Sequence, residues 1–211
     1  MRTAVLGTGT VGRAWAARLA ELGHEVVVGT RDPSTTLERD AGAWDGFALV
    51  PFAEAVVGAD LVVNALNGRA ALDVLPALAD ALDGVVVADI SNPLDFSGGF
   101  PPTLFVKDTD SLGEQLQRAL PRARLVKTLN TVTASLQVHP PAEGTVFVAG
   151  DDADARALMT RVLTEVGHSD VVDLGDLAGA RGVEMYLPLW LRLWQVLGTA
   201  EFTIKVVRPP S

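Results

Sequence analysis

The chain has 211 residues, of which 48% are hydrophobic, enough to build a sizeable buried core. Its 17 Lys and Arg residues are outnumbered by 26 Asp and Glu residues, and the formal charge of -9 disfavours binding to nucleic acid or to anionic membranes. Because there is no cysteine, disulfides, thiolate metal sites and cysteine nucleophiles are excluded. We find no secretory signal and no membrane-spanning stretch, and therefore expect a cytoplasmic protein.

Short Val-rich runs alternate along the chain with longer segments of helical periodicity. The runs are TAVLG, EVVVGT, FALVP, DLVVNAL, GVVVADIS, RLVKTLN, TVFVAGD and DVVDLG. Helices are predicted over 14–22, 70–82 and 153–166, where apolar residues recur at helical spacing. Unbroken apolar strands that alternate with helices are typical of a parallel sheet covered on both faces. The pattern therefore predicts an α/β fold with a doubly wound parallel sheet.

The pattern changes in the last third of the chain. We expect a larger α/β domain over 1–138 and a small C-terminal lobe over 139–211, which would serve substrate binding or dimerisation. In this lobe Tyr186, Trp190 and Trp194 recur every four residues and so share one helical face. Such a stripe is more often core or a dimer seam than a ligand platform, and we predict a homodimer.

A glycine-rich turn joins the first predicted strand to the first helix. It consists of Gly7, Thr8, Gly9, Thr10, Val11 and Gly12. One glycine permits the tight turn, one lets backbone amides approach a pyrophosphate, and one allows the helix to pack closely on the strand. The N-terminus of the helix adds a partial positive charge. Within a complete strand-helix-strand unit, this turn predicts a dinucleotide-binding Rossmann domain.

The end of the second strand indicates which dinucleotide is bound. A site for NAD usually ends this strand with a carboxylate, which binds the ribose hydroxyls and would repel a 2′-phosphate. Here the strand ends with Thr30 and Arg31, a hydroxyl and a guanidinium that are suited to a phosphate. We therefore predict NADP. Asp32 could be a displaced ribose ligand, but its position before Pro33 favours a turn or capping residue.

Three polar segments follow three of the predicted strands. They span residues 64–71, 89–96 and 127–134, and parallel strands bring such segments to one crevice. The alternative is ordinary turn chemistry, because Asn-Gly and Asn-Pro are common turn formers. The candidate cofactor-binding residues of these segments are Ala65, Asn67, Ser91, Asn92, Pro93, Asn130, Thr131 and Ala134.

No side chain of this crevice stands out as a proton donor. His24, His139 and His168 lie away from the predicted strand ends, and we interpret them as solvated surface residues. Lys127 is the remaining candidate acid, although it is equally consistent with a solvent-facing or structural charge. Since no metal-ligand spacing appears either, we predict no metal and no catalytic side chain. A hydride transfer that needs no protein acid fits this inventory best.

Over nearly its whole length the sequence resembles the NADP oxidoreductases that depend on the deazaflavin coenzyme F420. The matching segments are GTGTVGRAWAARLAELGHEVVVGTRDP, DISNPLDF, LVKTLNT, VAGDD, LPLWLRL and FTIKVV. The resemblance implies an N-terminal Rossmann domain that holds NADP and a direct hydride transfer between NADP and coenzyme F420 as co-substrate. It also implies pyrophosphate contacts from 8–11 and 2′-phosphate contacts from Thr30 and Arg31. The nicotinamide would be contacted by Ala65, Asn92 and Pro93.

Two features depart from the pattern of that family. Its well-known members have His-Thr in place of Asn130-Thr131, and their loop after the fifth strand lacks the sequence Ser91-Asn92-Pro93. In both features the chain is more similar to the NADPH domain of metalloreductases, which use an ordinary flavin.

The anionic tail of coenzyme F420 would require local positive charge in this acidic protein. Candidate contacts in the C-terminal lobe are Arg181, Arg192, Lys205 and Arg208. Two further functions remain open. One is an NADP-binding redox sensor without turnover, and the other is an NADPH-dependent reductase of a flavin or of a small imine or carbonyl substrate.

Overall fold

An eight-stranded sheet forms the centre of the computed structural model, which describes residues 1–40 and 42–209. Its order is β10-β9-β8-β5-β4-β1-β2-β3, while β6 and β7 pair separately as a small hairpin. The strands are β1 (Arg2–Leu6), β2 (Glu25–Thr30), β3 (Ala48–Pro51), β4 (Leu61–Asn64), β5 (Val86–Asp89), β6 (Leu94–Asp95), β7 (Thr103–Leu104), β8 (Arg124–Thr128), β9 (Val146–Ala149) and β10 (Val171–Asp173).

Helices cover both faces of this sheet. They are α1 (Thr10–Glu21), α2 (Pro33–Asp40), α3 (Phe52–Ala55), α4 (Gly68–Val74), α5 (Leu112–Ala119), α6 (Ala134–Val138), α7 (Ala153–Val166), α8 (Ala180–Met185) and α9 (Leu187–Leu197). On one face α1 and α7 pack with Val5 and Val63 of the sheet, and on the other α5 packs with Leu6 and Leu125. The predicted doubly wound α/β sheet is thereby confirmed.

The last two strands run against the other six. β8 pairs with β5 in parallel but with β9 in antiparallel fashion, and β10 follows the direction of β9. The reason is the connection after β8: only the short α6 and a loop separate it from β9, so the chain re-enters the sheet from the edge at which β8 ended. The predicted parallel sheet therefore comprises six strands, to which β9 and β10 add a pair of neighbours of opposite direction at one edge.

The sheet also runs across the predicted domain boundary. Because β9 and β10 belong to it, residues 146–173 continue the larger α/β unit rather than begin the lobe. The C-terminal lobe consists of α8 and α9, which follow the sheet, with a tail that returns to residue 145: the Thr145 amide donates to Ile204 O at 2.8 Å. No helix in the described ranges is both long and apolar enough to cross a membrane.

Candidate functional site

The three glycines of the first turn meet different surroundings. Gly7 has a φ of +115°, and a Cβ on it would lie 2.9 Å from Ala65 O. A Cβ on Gly12 would lie 2.0 Å from Gly7 O, so a side chain at either position would collide with backbone. At Gly9 nothing lies within 4 Å of the corresponding point. Gly7 and Gly12 are thus required by packing, whereas the space beside Gly9 is open for a ligand.

The N-terminus of α1 faces that open space with its amides uncapped. Gly9 is the N-cap and supplies no side-chain hydrogen bond, and no acidic residue lies in the first turn. Helices with a free first turn present several N–H donors together with the positive end of the helix dipole. Thr8, Thr10 and Val11 surround this end and are at least partly exposed. The turn therefore fits a pyrophosphate, as the sequence predicts.

The two residues at the end of β2 have different environments. Thr30 is only 5% exposed, and its hydroxyl forms a 2.9 Å hydrogen bond with Thr36 Oγ1. Thr36 Oγ1 also lies 2.9 Å from Asp32 O, and both hydrogen bonds form together when Thr30 is the donor in the first, which directs the Thr30 proton to Thr36. Arg31 is exposed. Of the predicted pair, Thr30 is thus buried and Arg31 is open to solvent.

Asp32 acts as a helix-capping residue, as its place before Pro33 indicates. Its Oδ1 accepts from the Thr35 amide at 3.1 Å and its Oδ2 from the Thr35 hydroxyl at 2.9 Å. The hydrogen bond from the Thr35 amide, followed by that from the Thr35 hydroxyl, lowers the pKa of Asp32. Because both carboxylate oxygens serve the start of α2, this residue is not directed to a ribose.

The polar segments after β5 and β8 meet, as predicted. Asn92 Nδ2 donates to Asn130 O at 3.1 Å, and Asn130 Nδ2 donates to Asn92 Oδ1 at 3.1 Å. Asn130 Nδ2 also donates to Val183 O at 3.0 Å, which joins this pair to the C-terminal lobe. The two asparagines therefore fix the distance between neighbouring strand ends and the first helix of the lobe.

Other predicted contact residues divide into those that line a cavity and those that do not. Asn67 lines one, but its side chain is also the N-cap of α4, accepting from the Ala70 amide at 2.9 Å. Pro93 and Thr131 are buried and lie outside the lining of the two cavities described below. The sequence pattern could not separate these cases because a polar turn residue caps, packs or binds with the same residue type.

Two adjoining cavities occupy the crevice at the strand ends. One of about 550 Å³ contains Ala65, Asn67 and Ser91 in its wall. The other, of about 290 Å³, is lined from the sheet side by Thr10, Asn130 and Ala134 and from the lobe by Leu187, Trp190 and Leu191. Residues that line both are Val11, Ile90, Asn92 and Leu94. A shared wall of four side chains places the two cavities in direct contact.

Lys127 lies beneath these cavities and is fully buried, with 0% of its side chain exposed. Its Nζ contacts Asp89 Oδ2 at 2.9 Å, Ser91 O at 2.6 Å and Glu184 Oε1 at 2.9 Å. Burial alone would lower the pKa of Lys127, but the charges of Asp89 and Glu184 outweigh it and raise that pKa. The ammonium group thus donates to Asp89 and Ser91 and is paired with Glu184, a set of contacts that favours the interpretation of Lys127 as a structural charge.

The carboxylates around Lys127 are themselves fully engaged. Asp89 Oδ1 accepts from Asn64 Nδ2 at 2.8 Å and from Ser91 Oγ at 2.6 Å. Glu184, which the sequence analysis missed, accepts from the amides of Leu112 at 2.8 Å and Gly113 at 3.1 Å, at the start of α5. This ion cluster of Lys127, Asp89 and Glu184 holds the Ser91 turn to the lobe. No local pattern around Glu184 marks it, because its partners are distant in sequence.

Gln137 is a second buried residue that sequence reasoning missed. Its Nε2 donates to Leu129 O at 3.2 Å and to Val132 O at 2.9 Å, while its Oε1 accepts from Trp15 Nε1 at 2.9 Å. It thereby holds the turn after β8, where Leu129 adopts a φ of 55° that is uncommon for a residue with a side chain. This turn carries Asn130 into the crevice.

His168 is buried, so its interpretation as a solvated surface residue is wrong. Its Nε2 forms a 2.9 Å hydrogen bond with Gln137 O, and burial lowers its pKa. Its partner Gln137 lies on α6, which the position of His168 after α7 does not reveal. His139 is exposed, as expected.

The aromatic stripe of the lobe is partly a cavity wall. Trp190 lines the smaller cavity and stacks on Phe202 of the tail, with ring centroids 5.4 Å apart. Trp194 is 38% exposed and meets Phe100 edge to face at 5.8 Å. Within the described part of the chain, Trp190 Nε1 and the Tyr186 hydroxyl are buried without a hydrogen-bond partner. The stripe is therefore neither wholly core nor wholly surface.

Known proteins of two kinds resemble this chain in sequence. The profile of the family described as NADP oxidoreductase coenzyme F420-dependent matches residues 2–93. The F420-dependent NADP reductase of Methanothermobacter marburgensis is 29% identical over 209 residues, with 92% of each chain covered. Metalloreductase STEAP3 of Rattus norvegicus is 30% identical over 197 residues, which cover 92% of this chain but 38% of the metalloreductase.

Solved structures extend the comparison. The crystal structure of a proposed F420-dependent NADP reductase from Arthrobacter sp. FB24 is 52% identical to this chain. It superposes with a TM-score of 0.95 over 99% of this chain and 100% of that one. An imine reductase from Bacillus cereus BAG3X2 shares the fold alone, with 18% identity and a TM-score of 0.66.

Proposed function

The chain belongs to the coenzyme F420-dependent NADP oxidoreductase family, and we propose that it transfers a hydride directly between NADP(H) and coenzyme F420. It is accordingly an NADP-dependent oxidoreductase. When both are bound, the nicotinamide and the deazaflavin supply the two carbon atoms between which the hydride moves. The observation that carries the proposal is the pair of cavities with a shared wall of Val11, Ile90, Asn92 and Leu94.

The residues of the first βαβ unit fit the diphosphate and phosphate groups of NADP. The open space at Gly9 and the uncapped amides of α1 would receive the pyrophosphate. Arg31 would donate to the 2′-phosphate, because it is exposed and no carboxylate pairs with it among the described residues. Ala65 and Asn92, which follow the ends of β4 and β5, would then lie beside the nicotinamide.

The chain's own contribution to the transfer would be positional. Lys127 lines neither cavity and is held by Asp89, Ser91 and Glu184, and the described residues hold no other buried cation there. The reciprocal amide pair of Asn92 and Asn130 and the ion cluster beneath it would keep the two cavities at a constant separation. Holding two reactants in a near-attack geometry can account for a large part of a rate enhancement.

The tail of coenzyme F420 would leave the smaller cavity past Leu191 and Arg192. Of the four basic residues predicted for it, Arg181 pairs with Glu114, and Lys205 and Arg208 both pair with Asp170. Arg192 has no carboxylate partner among the described residues, and it lines a further cavity of about 310 Å³ that also contains Leu191. This residue is therefore the best placed of the four.

Isotope transfer tests the proposal. NADPH carrying deuterium at either face of nicotinamide C4 is mixed with oxidised coenzyme F420, and the product is examined for deuterium at the deazaflavin C5. We expect one epimer to deliver its label without loss to water and the other to keep it. Label that appears in solvent would contradict direct transfer. An absence of any deazaflavin reduction would favour the sensor.

A second candidate function is reduction of an ordinary flavin by NADPH. The observation that favours it is the Asn92–Asn130 pair, since Ser91-Asn92-Pro93 and Asn130 are the features in which the sequence is more similar to metalloreductases. Parallel assays with FMN, FAD and coenzyme F420 separate the two functions by the ratio of kcat/KM values. The cytoplasmic location and the homodimer stay predictions from the sequence.

A further inference from the structure

Arg39 reaches the glycine turn from the far end of α2. Its Nη2 donates to Thr8 Oγ1 at 3.1 Å, although it lies in the last turn of that helix. A neighbouring contact agrees: Arg13, in α1, donates to Asp40 Oδ2 at 2.5 Å. Two contacts from the end of α2 to the glycine turn and α1 show that this helix lies across the carboxyl edge of the sheet. Its last residues therefore stay at the edge where a nucleotide would bind.

The same edge carries Arg31. β1 and β2 are adjacent parallel strands, and the Gly7 amide donates to Gly29 O at 3.0 Å where they end. Thr8 and Arg31 therefore leave the sheet from neighbouring strands, which lie about 4.8 Å apart. Because Arg39 is hydrogen-bonded to Thr8, its guanidinium lies at the end of β1, and Arg31 follows the end of the adjacent strand β2.

The two arginines at this edge share one feature, the lack of an ion-pair partner within the described part of the chain. The formal charge is -9, yet neither Arg31 nor Arg39 pairs with a carboxylate among the described residues. The adjacent Arg13 is paired with Asp40, so a carboxylate is available nearby but is used elsewhere. Exposed guanidinium groups without a carboxylate partner attract an anion to this edge of the sheet.

The neighbouring polar side chains at this edge are already engaged in hydrogen bonds, which leaves Arg39 as a candidate ligand. The proton of the Thr30 hydroxyl is used by Thr36, and both carboxylate oxygens of Asp32 are used by Thr35. Arg39 uses one of its five N–H groups on Thr8, and the other four have no partner among the described residues. We propose that Arg39 is a second ligand of the 2′-phosphate of NADP and sets NADP specificity together with Arg31.

This inference rests on the proposed use of NADP and adds a specificity residue to it. A dianionic phosphate between two guanidinium groups would form charge-assisted hydrogen bonds with both, and each group would also neutralise part of its charge. A nucleotide without the 2′-phosphate would leave the two arginines facing water. Arg39 should therefore contribute to the binding of NADP and little to the binding of NAD.

Calorimetric titration of NADP and NAD tests this role. We expect Arg39→Ala to raise the Kd for NADP about 10- to 100-fold, the range of hydrogen bonds to charged groups, while the Kd for NAD changes little. Arg39→Lys should lie between wild type and Arg39→Ala, because it keeps the charge and loses the fork. The double variant Arg31→Ala/Arg39→Ala should bind NADP no more tightly than NAD.

Arg161→Ala is the matched control. Arg161 is exposed on α7 and, among the described residues, has no carboxylate partner, so its loss changes the net charge equally without touching the nucleotide edge. It should leave both Kd values unchanged. Thermal unfolding of each variant establishes that its fold is intact.

Two outcomes overturn the proposal and are distinguishable. If Arg39→Ala weakens NAD and NADP equally while Arg31→Ala weakens NADP alone, Arg39 supports the glycine turn or the pyrophosphate and is no specificity residue. If wild type binds NAD as tightly as NADP, the assignment of NADP itself fails. Neither result depends on whether coenzyme F420 is the second substrate, because no hydride transfer is measured.

Discussion

Cations at two places along the same sheet edge have opposite surroundings. Lys127, at the end of β8, is fully buried, donates hydrogen bonds to Asp89 and Ser91 and is paired with Glu184. Arg31 and Arg39, beyond the end of β2, are exposed, and no carboxylate pairs with either among the described residues. All three are positive charges near the predicted nucleotide site.

This difference in burial and pairing distinguishes a cation that stabilises the fold from one that is available to bind a ligand. A buried cation costs several kcal/mol to desolvate, so it is retained only with partners that saturate it. An exposed guanidinium keeps its hydration and can exchange water for a phosphate at small cost. Saturation therefore indicates a role in holding the fold, and unused donors on an exposed edge indicate a role in binding.

The largest expected effect is on stability. Lys127→Met leaves Asp89 and Glu184 buried without their cation, and the free energy of unfolding should fall by about 3–5 kcal/mol. Urea denaturation measures the change. Lys107→Met is the control, because Lys107 is exposed and should contribute less than about 0.5 kcal/mol. An equal and small change in both variants would show that the ion cluster does not stabilise the fold.

The next effect is on binding alone. Arg31→Ala should weaken NADP binding by about 1.5–3 kcal/mol, the range for hydrogen bonds to charged groups, and barely alter NAD binding. The free energy of unfolding should not change, since the side chain is exposed. Titration calorimetry and urea denaturation of the same preparation test both halves of the statement. Equal losses for the two nucleotides would remove Arg31 from the 2′-phosphate site.

A smaller effect is expected where the ion cluster meets the lobe. Glu184→Gln keeps the size of the side chain and leaves Lys127 paired with Asp89, but its amide group can accept on one atom only. Either Lys127 Nζ or one of the amides of Leu112 and Gly113 then loses its partner, and the free energy of unfolding should fall by about 1–3 kcal/mol. Hydrogen exchange should accelerate in α8 more than in β1. Uniform acceleration would mean that Glu184 does not dock the lobe.

The smallest effect is a pH dependence of the contacts between the tail, the residues that follow α9, and Thr145. Asp170 accepts from Thr145 and Lys205 and pairs with Arg208, and these contacts lower its pKa to about 2. Because the folded pKa lies below the unfolded value of about 3.9, the carboxylate stabilises the fold above that value. The contribution is lost as pH falls from about 3.9 towards 2. Exchange of the Val206 amide, which donates to Thr145 Oγ1 at 2.9 Å, reports it.

Asp170→Asn supplies the comparison for this measurement. The variant cannot titrate at this position, so its tail should exchange faster than that of wild type at neutral pH and at nearly the same rate at pH 2. A pH dependence that is identical in the two proteins would assign the transition to other carboxylates.

Local patterns predicted those elements whose contacts are close in sequence. α7 spans residues 153–166 as predicted, because Asp152 caps it and its apolar residues recur on one face. The glycine turn was predictable for the same reason, since strand, turn and helix are consecutive. The predicted helix over 70–82 is instead α4 followed by a short 3-10 turn at Leu75–Leu78, where Pro76 cannot donate to an α-helical hydrogen bond.

The sequence by itself determined the doubly wound core and the position of the glycine turn, and it predicts a phosphate ligand in Arg31. Only the tertiary structure decided which polar residues act together. Lys127 and Glu184 meet because β8 and α8 pack, and Arg39 meets Thr8 because α2 lies across the sheet edge. The periodicity of a helix or strand depends on residues that are close in sequence. A hydrogen bond between distant segments depends on how the helices and strands that carry them pack.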